Sequence, residues 1–296
     1  MNTPPWLEEP IATVAGLGDR LPHALLIQGP GGWGEERVAN AIALDLMRLA
    51  PEATAREIAH PDLRWIAPEG GTIRIDPVRR LIDFLMQTPQ VAGRKIAVIE
   101  AADRMNVFAA NALLKSLEEP PAESFIALAT GAPGRLPVTV RSRCQRIVVR
   151  PGTPADVLTW LVESGVEGSL AQAFMIEYGS APYAILAALE AGQEPLWPVL
   201  AKAARSSAGA ADVAEANRDE PLVDVVERWL RVVHWLVRQW PPASTGLGLD
   251  FADELLKVRQ AALLNTGLNR SMQLQRLALL WAQLWRRLPI EPPRST

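Results

Sequence analysis

The chain has 296 residues, 49% apolar and 21% charged, with a net charge of −3. That is enough for two or three domains with real cores, and no global field argues for a nucleic-acid or membrane-surface partner. One cysteine, Cys144, excludes a disulfide framework and a Cys-rich zinc module. The opening "MNTPPWLEEP" carries acids and prolines where a signal peptide needs basic then apolar residues, and no apolar run nears the ~18 residues of a membrane span. The expectation is a cytoplasmic chain with no membrane association.

In chain order, the first 150 residues alternate strand-like and helix-like segments. Short apolar, β-rich runs fall at His23–Gln28, Leu63–Ala67, Lys95–Glu100, Ser124–Thr130 and Gln145–Arg150. Between them, Glu35–Leu49 has apolar residues three and four apart, and Asp76–Gln87 opens on an apparent N-cap Asp with Pro77 at the first helical position. Val107–Glu118 is stopped by Pro120 and Pro121. Such alternation predicts a parallel sheet with helices on both faces. After Pro151 strand signals vanish. Thr153–Leu189 reads as short helices punctuated by Gly165, Gly168 and Gly179, with a break at "AGQEP" (191–195). The stretch 204–221 reads as a loop or a weak helix. Two later segments, one from Leu222 to Trp240 and one from Leu274 to Leu288, are strongly amphipathic. Five of the ten tryptophans lie between Trp229 and Trp285, as a helical core, a subunit interface, or both.

The stretch "GPGGWGEE" (29–36) follows the first strand and opens the first long helix. Gly29 and Gly34 match the outer glycines of a phosphate-binding loop, whose N–H groups close around phosphate at a helix N-terminus. That loop ends in Lys and Ser/Thr, whereas this one ends in Glu35 and Glu36. Replacing a cation by an anion beside phosphate swings the interaction by roughly 8 kcal/mol, the size of a micromolar binding energy. Rotation of Glu35 into solvent would soften the clash, and two acids in a first turn also suit the helix macrodipole. The acidic pair that would hold Mg²⁺ and orient water is damaged too: "KIAVIEAADRM" places Ala101 after Glu100. Glu100 and Asp103 read equally well as loop solvation.

"LPHALLIQGPGGWG", "IAVIEAADRMNVFAANALLKSLEEPP", "FIALAT" and "LPVTVRSRCQRI", with "IRIDPVRRLIDFL" between them, resemble the clamp-loader branch of the AAA+ proteins, as found in bacterial DNA polymerase III. The resemblance is strong over residues 20–150 and weaker beyond, where 266–280 is similar to the end of the family's collar. It implies an α/β AAA+ (RecA-like) parallel-sheet domain followed by two all-α domains. The boundaries it implies are 1–151 for the sheet domain, 152–190 for a helical lid and 191–296 for a helical collar that oligomerises. It also implies a five-subunit ring, with ATPase motor subunits and a delta subunit as partners, acting on a sliding clamp and primer-template DNA. The damaged loop is similar to that of the family's stator, which turns over no ATP of its own. No bound cofactor is expected, and any polymerase label would belong to the holoenzyme.

Two departures matter. Many relatives carry a four-cysteine zinc module after the first helix; "APEATAREIAHPDLRW" (50–65) has no cysteine, so no metal is expected and His60 reads as a hydrogen-bonded structural residue. The family's nucleotide-sensing Arg follows a "GS" near residue 180; Pro182 and Tyr183 stand there instead. What remains is "RSRC" (141–144). By the resemblance, Arg143 reaches the ATP of a neighbouring subunit as an arginine finger, positioned by Ser142 and Cys144. On its own the same text also fits an arginine-rich surface loop. The rival reading is an AAA+ ATPase with an atypical nucleotide site; a third makes both the loop and Arg143 vestigial.

Overall fold

The computed structural model describes residues 3–205, 209–264 and 267–289. Five short strands pair in parallel: β1 (Ala24–Gln28), β2 (Leu63–Ile66), β3 (Lys95–Ile99), β4 (Ser124–Thr130) and β5 (Gln145–Val148), in the order β2-β3-β4-β1-β5. All five strands match the runs legible in the sequence to within two residues at each end. Parallel neighbours need crossovers, and helices supply most of them. The helices are α1 (Pro5–Ala15), before the sheet, α2 (Glu35–Met47), α3 (Ile75–Leu85), α4 (Val107–Glu118) and the single turn α5 (Val138–Arg141).

Strand alternation splits the core into two layers. Ala24, Leu26, Ala97, Ile99, Ile126 and Leu128 share a cluster with residues of α3 and α4. Leu25, Ile27, Ile96, Val98, Phe125 and Ala127 point the other way and are equally buried. On that face α2 packs against β1, β3 and β4, and α1 packs on α2.

One helix start differs from the sequence expectation. Asp76 does not cap α3: the helix opens at Ile75 with extended Arg74 in the N-cap position and no side-chain cap. The cause is a bridge just upstream. The Ile73 N–H donates to the Arg104 carbonyl, and the Asn106 N–H donates to the Ile73 carbonyl, so the chain is delivered two residues early. Pro77 then lies third in the helix, where no intrahelical N–H bond is lost.

A buried ion pair fixes the lower end of the sheet. Asp62 and Lys95 are both fully buried and lie 3.0 Å apart. Asp62 also accepts the N–H groups of Gln90, Val91 and Ala92, at 2.8, 2.5 and 2.8 Å. Lys95 donates to the Pro61 carbonyl and sits over the Phe84 ring. Burial alone would raise the Asp62 pKa, but the three N–H donors and Lys95 outweigh it and hold the carboxyl well below the usual carboxylate range.

The chain divides into two compact units, 1–156 and 157–296. The second is helical: α6 (Pro154–Glu163, entering from the boundary), α7 (Gly168–Tyr178), α8 (Pro182–Glu190), α9 (Leu196–Arg205), α10 (Gly209–Ala216), α11 (Leu222–Val237), α12 (Pro242–Leu264) and α13 (Arg270–Arg287). Gly168, expected as a break, instead begins α7, because the Glu167 carboxylate caps it by accepting the N–H groups of Ser169 and Leu170. The ambiguous stretch 204–221 holds the end of α9 and all of α10; residues 206–208 lie outside the described residues, as does residue 266 at the start of the collar-like stretch. Of the crowded tryptophans, Trp229, Trp240, Trp281 and Trp285 are buried together, with edge-on contacts of 6.0 Å (Trp229–Trp281) and 5.3 Å (Trp240–Trp285). Trp235 stays at the surface, edge-on to Trp197. Buried Arg228 on α11 binds Glu177 on α7 at 2.7 Å and Glu220 at 2.7 Å, and Glu177 also accepts the Trp197 N–H at 2.8 Å. This network spans position 190 inside the second unit. No helix among the described residues is long and apolar enough to cross a membrane.

Asp62→Ala should lower stability at pH 7 by about 3–5 kcal/mol, because it strands Lys95 and three N–H groups in the core. A depressed carboxylate stabilises above its unfolded pKa, ~3.9, and loses that contribution as pH falls below it. In urea unfolding of the full chain, the gap between wild type and variant should therefore shrink between pH 5 and pH 3.

Candidate functional site

The glycine-rich loop leaves the C-terminal end of β1 and enters α2 through Gly34, the N-cap residue, whose φ of 100° is in the left-handed region that favours glycine. Glu35 does not turn to solvent, as its sequence position allowed. Its side chain folds back into the loop and is 3% exposed. Oε1 accepts the Gly31 N–H at 2.9 Å, and Oε2 accepts the Trp33 N–H at 3.3 Å. A Cβ on Gly29 would lie 2.2 Å from Oε1, so the absence of a side chain there makes room for the carboxylate. The loop N–H groups that would face a phosphate thus already hold an anion. Trp33 is buried at the crest of the loop, its carbonyl accepting the Trp6 indole N–H at 3.2 Å, with the two rings edge-on at 5.7 Å. Helix α1, which the sequence did not reveal, braces the loop in this way.

Burial raises the Glu36 pKa, and the carboxylates of Glu35 and Glu100 add to the shift. Glu100, at the end of β3, accepts the Trp65 indole N–H at 2.9 Å and pairs with Arg56 at 3.2 Å. Ala101, where a second acid would stand, has a φ of 47°. Asp103 accepts the Thr130 hydroxyl at 2.7 Å, which ties the loop after β3 to the end of β4. Glu100 and Asp103 are therefore engaged by their own chain. A polyphosphate placed here would meet the Glu35 carboxylate where a phosphate-binding loop carries its lysine.

Arg143 lies elsewhere. It lies two residues before β5, at the N-terminal edge of a sheet whose strands are all parallel, whereas the glycine loop follows β1 at the C-terminal edge. The intervening β1 has 5 residues. At ~3.3 Å per residue the two features are about 15 Å apart along the strand direction. One guanidinium nitrogen of Arg143 donates to the Thr139 carbonyl at 2.8 Å and lies 3.5 Å from the Ser142 hydroxyl. The other pairs with Glu118, the last residue of α4. Ser142 is exposed and donates to the Thr139 carbonyl at 3.2 Å. Cys144 is buried in the core beside α4, and burial pushes its thiol up to about 11, which leaves it a packing group and a poor nucleophile. Glu118 was not singled out from sequence; its partner is 25 positions away and only the fold brings them together.

His60 accepts the Asp62 N–H through Nδ1 at 3.0 Å. Pro182 and Tyr183 open α8 in the helical unit, where the Tyr183 ring packs on Trp160.

Glu35→Ala should cost about 1.5–3 kcal/mol, the range for hydrogen bonds to a charged group. Millimolar inorganic phosphate should recover part of that loss in a thermal melt of the variant and leave the wild type unmoved.

Residues 15–153 match the family model described as DNA polymerase III, delta subunit. A delta' subunit of DNA polymerase III from Pseudomonas aeruginosa is 38% identical over 174 residues, covering 54% of this chain and 52% of the relative. The delta' subunit from Escherichia coli is 36% identical over 175 residues, with 53% and 52% covered. The chain thus spans about half the length of these relatives. A crystal structure of a DNA polymerase III gamma subunit-related protein from Thermotoga maritima superposes with a TM-score of 0.60 over 94% of this chain and all of that one, at 21% identity, and so shares the fold. Over residues 15–153, this chain is thus similar to the DNA polymerase III delta-subunit family.

Proposed function

We propose that this chain is a clamp-loader subunit of DNA polymerase III that turns over no ATP itself and donates Arg143 to the nucleotide of a neighbouring subunit. The observation that carries this reading is the Glu35 carboxylate held by Gly31 and Trp33 in the phosphate-binding loop. Its own nucleotide seat is filled by its own side chain. The placement of Arg143 supports the second half. A guanidinium at the opposite edge of the sheet has no route to its own chain's loop, but it suits a neighbour's loop in a head-to-tail array. A planar, permanently charged fork there would stabilise phosphate charge as it develops, an effect worth ~10³–10⁵ in rate in other phosphoryl-transfer systems.

The partners proposed with this role are ATPase motor subunits and a delta subunit in a five-subunit ring, acting on a sliding clamp and primer-template DNA. We assign 152–190 to a lid and 191–296 to an oligomerising collar. No cofactor is assigned. The delta' relatives support the assignment over the sheet unit.

Equilibrium dialysis of the purified chain should show no Mg-ATP binding at micromolar concentration. Binding there would favour an ATPase with an atypical site. In a loader reconstituted with this chain, Arg143→Ala should reduce DNA- and clamp-stimulated ATPase at least tenfold; unchanged ATPase would reject the donor role.

A further inference from the structure

We propose that Glu118 stores the Arg143 guanidinium and competes for it with the phosphates of a neighbour's nucleoside triphosphate. This rests on the donor role given to Arg143 above. The geometry is that of a tethered arm. One nitrogen of the fork is anchored on the Thr139 carbonyl, within the same turn of chain. The other reaches across to the Glu118 carboxylate. The arm can therefore release Glu118 and still be held at Thr139.

Glu118 is an unusual residue to find at its position. It ends α4, where the unsatisfied carbonyls carry partial negative charge, and Glu119 follows it directly. The one basic residue in that last turn is Lys115. A carboxylate there is unfavourable for the helix on its own and becomes favourable with Arg143 beside it. Both side chains remain reachable, with 33% of the Arg143 side chain and 49% of the Glu118 side chain exposed. A guanidinium nitrogen donates equally well to a carboxylate or a phosphate oxygen, so the two anions compete for the nitrogen that Thr139 leaves free. The triphosphate carries more charge than the carboxylate. A surface pair is weak enough to be displaced, and its removal is worth at most about fivefold in an equilibrium. Glu118 is thus a positioning residue that sets how readily the finger leaves its own chain.

The test uses the loader reconstituted with this chain, comparing wild type with Glu118→Gln, Glu118→Asp, Arg143→Ala and the Glu118→Gln/Arg143→Ala double variant. Glu118→Gln should raise kcat/KM for ATP two- to fivefold. Glu118→Asp should return it toward wild type, and the double variant should match Arg143→Ala alone. A merely structural role predicts no gain for Glu118→Gln, and that result would overturn the proposal. A gain that persists in the double variant would also overturn it, because it would not act through Arg143. If Arg143→Ala itself leaves ATPase unchanged, the donor role falls; if Arg143→Ala is impaired while Glu118→Gln is neutral, only the storage role falls.

Discussion

The carboxylate of Glu35 lies between the N–H groups of Gly31 and Trp33, and much of the sheet unit is arranged around that placement. Gly29 leaves the space it occupies, and Gly34 turns the chain so that Glu35 starts the helix with its side chain aimed backward. Trp33 is pinned by Trp6, which holds the crest of the loop closed over it. Buried N–H groups need partners. In a nucleotide-binding loop, phosphate or water supplies them; here the first residue of the helix does. The loop keeps the glycines of a phosphate cradle because an anion still sits in it.

The surrounding acids follow the same logic. Glu100 is bound by Trp65 and Arg56, and Asp103 by Thr130, so each of these carboxylates ties the segment after β3 to a neighbouring strand. At the far edge of the sheet the pattern reverses. Arg143 is partly exposed, and its guanidinium meets the Thr139 carbonyl, the Ser142 hydroxyl and the Glu118 carboxylate. The buried Asp62–Lys95 pair lies at that same edge, at the start of β3, and gives it a rigid floor.

Much of this was legible in the sequence, for identifiable reasons. The strands read clearly because buried parallel strands are short apolar runs bounded by polar turns, and Val107–Glu118 is observed with the bounds expected from the sequence, closed by the prolines and capped in the structure by Asn106. Asp76 misled because local capping text competes with a long-range bridge at Ile73 that no local pattern encodes. Helix α1 buries Trp6, Leu7, Pro10 and Val14 on one face, but prolines and acids within and around so short a stripe mask its period in the sequence. The loss of Lys and Ser/Thr from the loop was plain in the text. The direction in which Glu35 points was not, because a rotamer is decided by neighbours such as Gly29 that lie six positions away. The Glu118–Arg143 pair is a purely tertiary fact.

The separation of the loop and Arg143 on opposite edges of one sheet has a further consequence. For a chain read as above, one edge can give and the other cannot receive. Two copies stacked head to tail would present Arg143 to a seat already filled by Glu35, so self-association gains nothing catalytically. Under that proposal such a chain would act as a terminator: it could be added to the end of a row of nucleotide-carrying subunits, but it would offer the next subunit no reason to follow. Its asymmetry would impose a direction and a fixed length on the assembly that contains it.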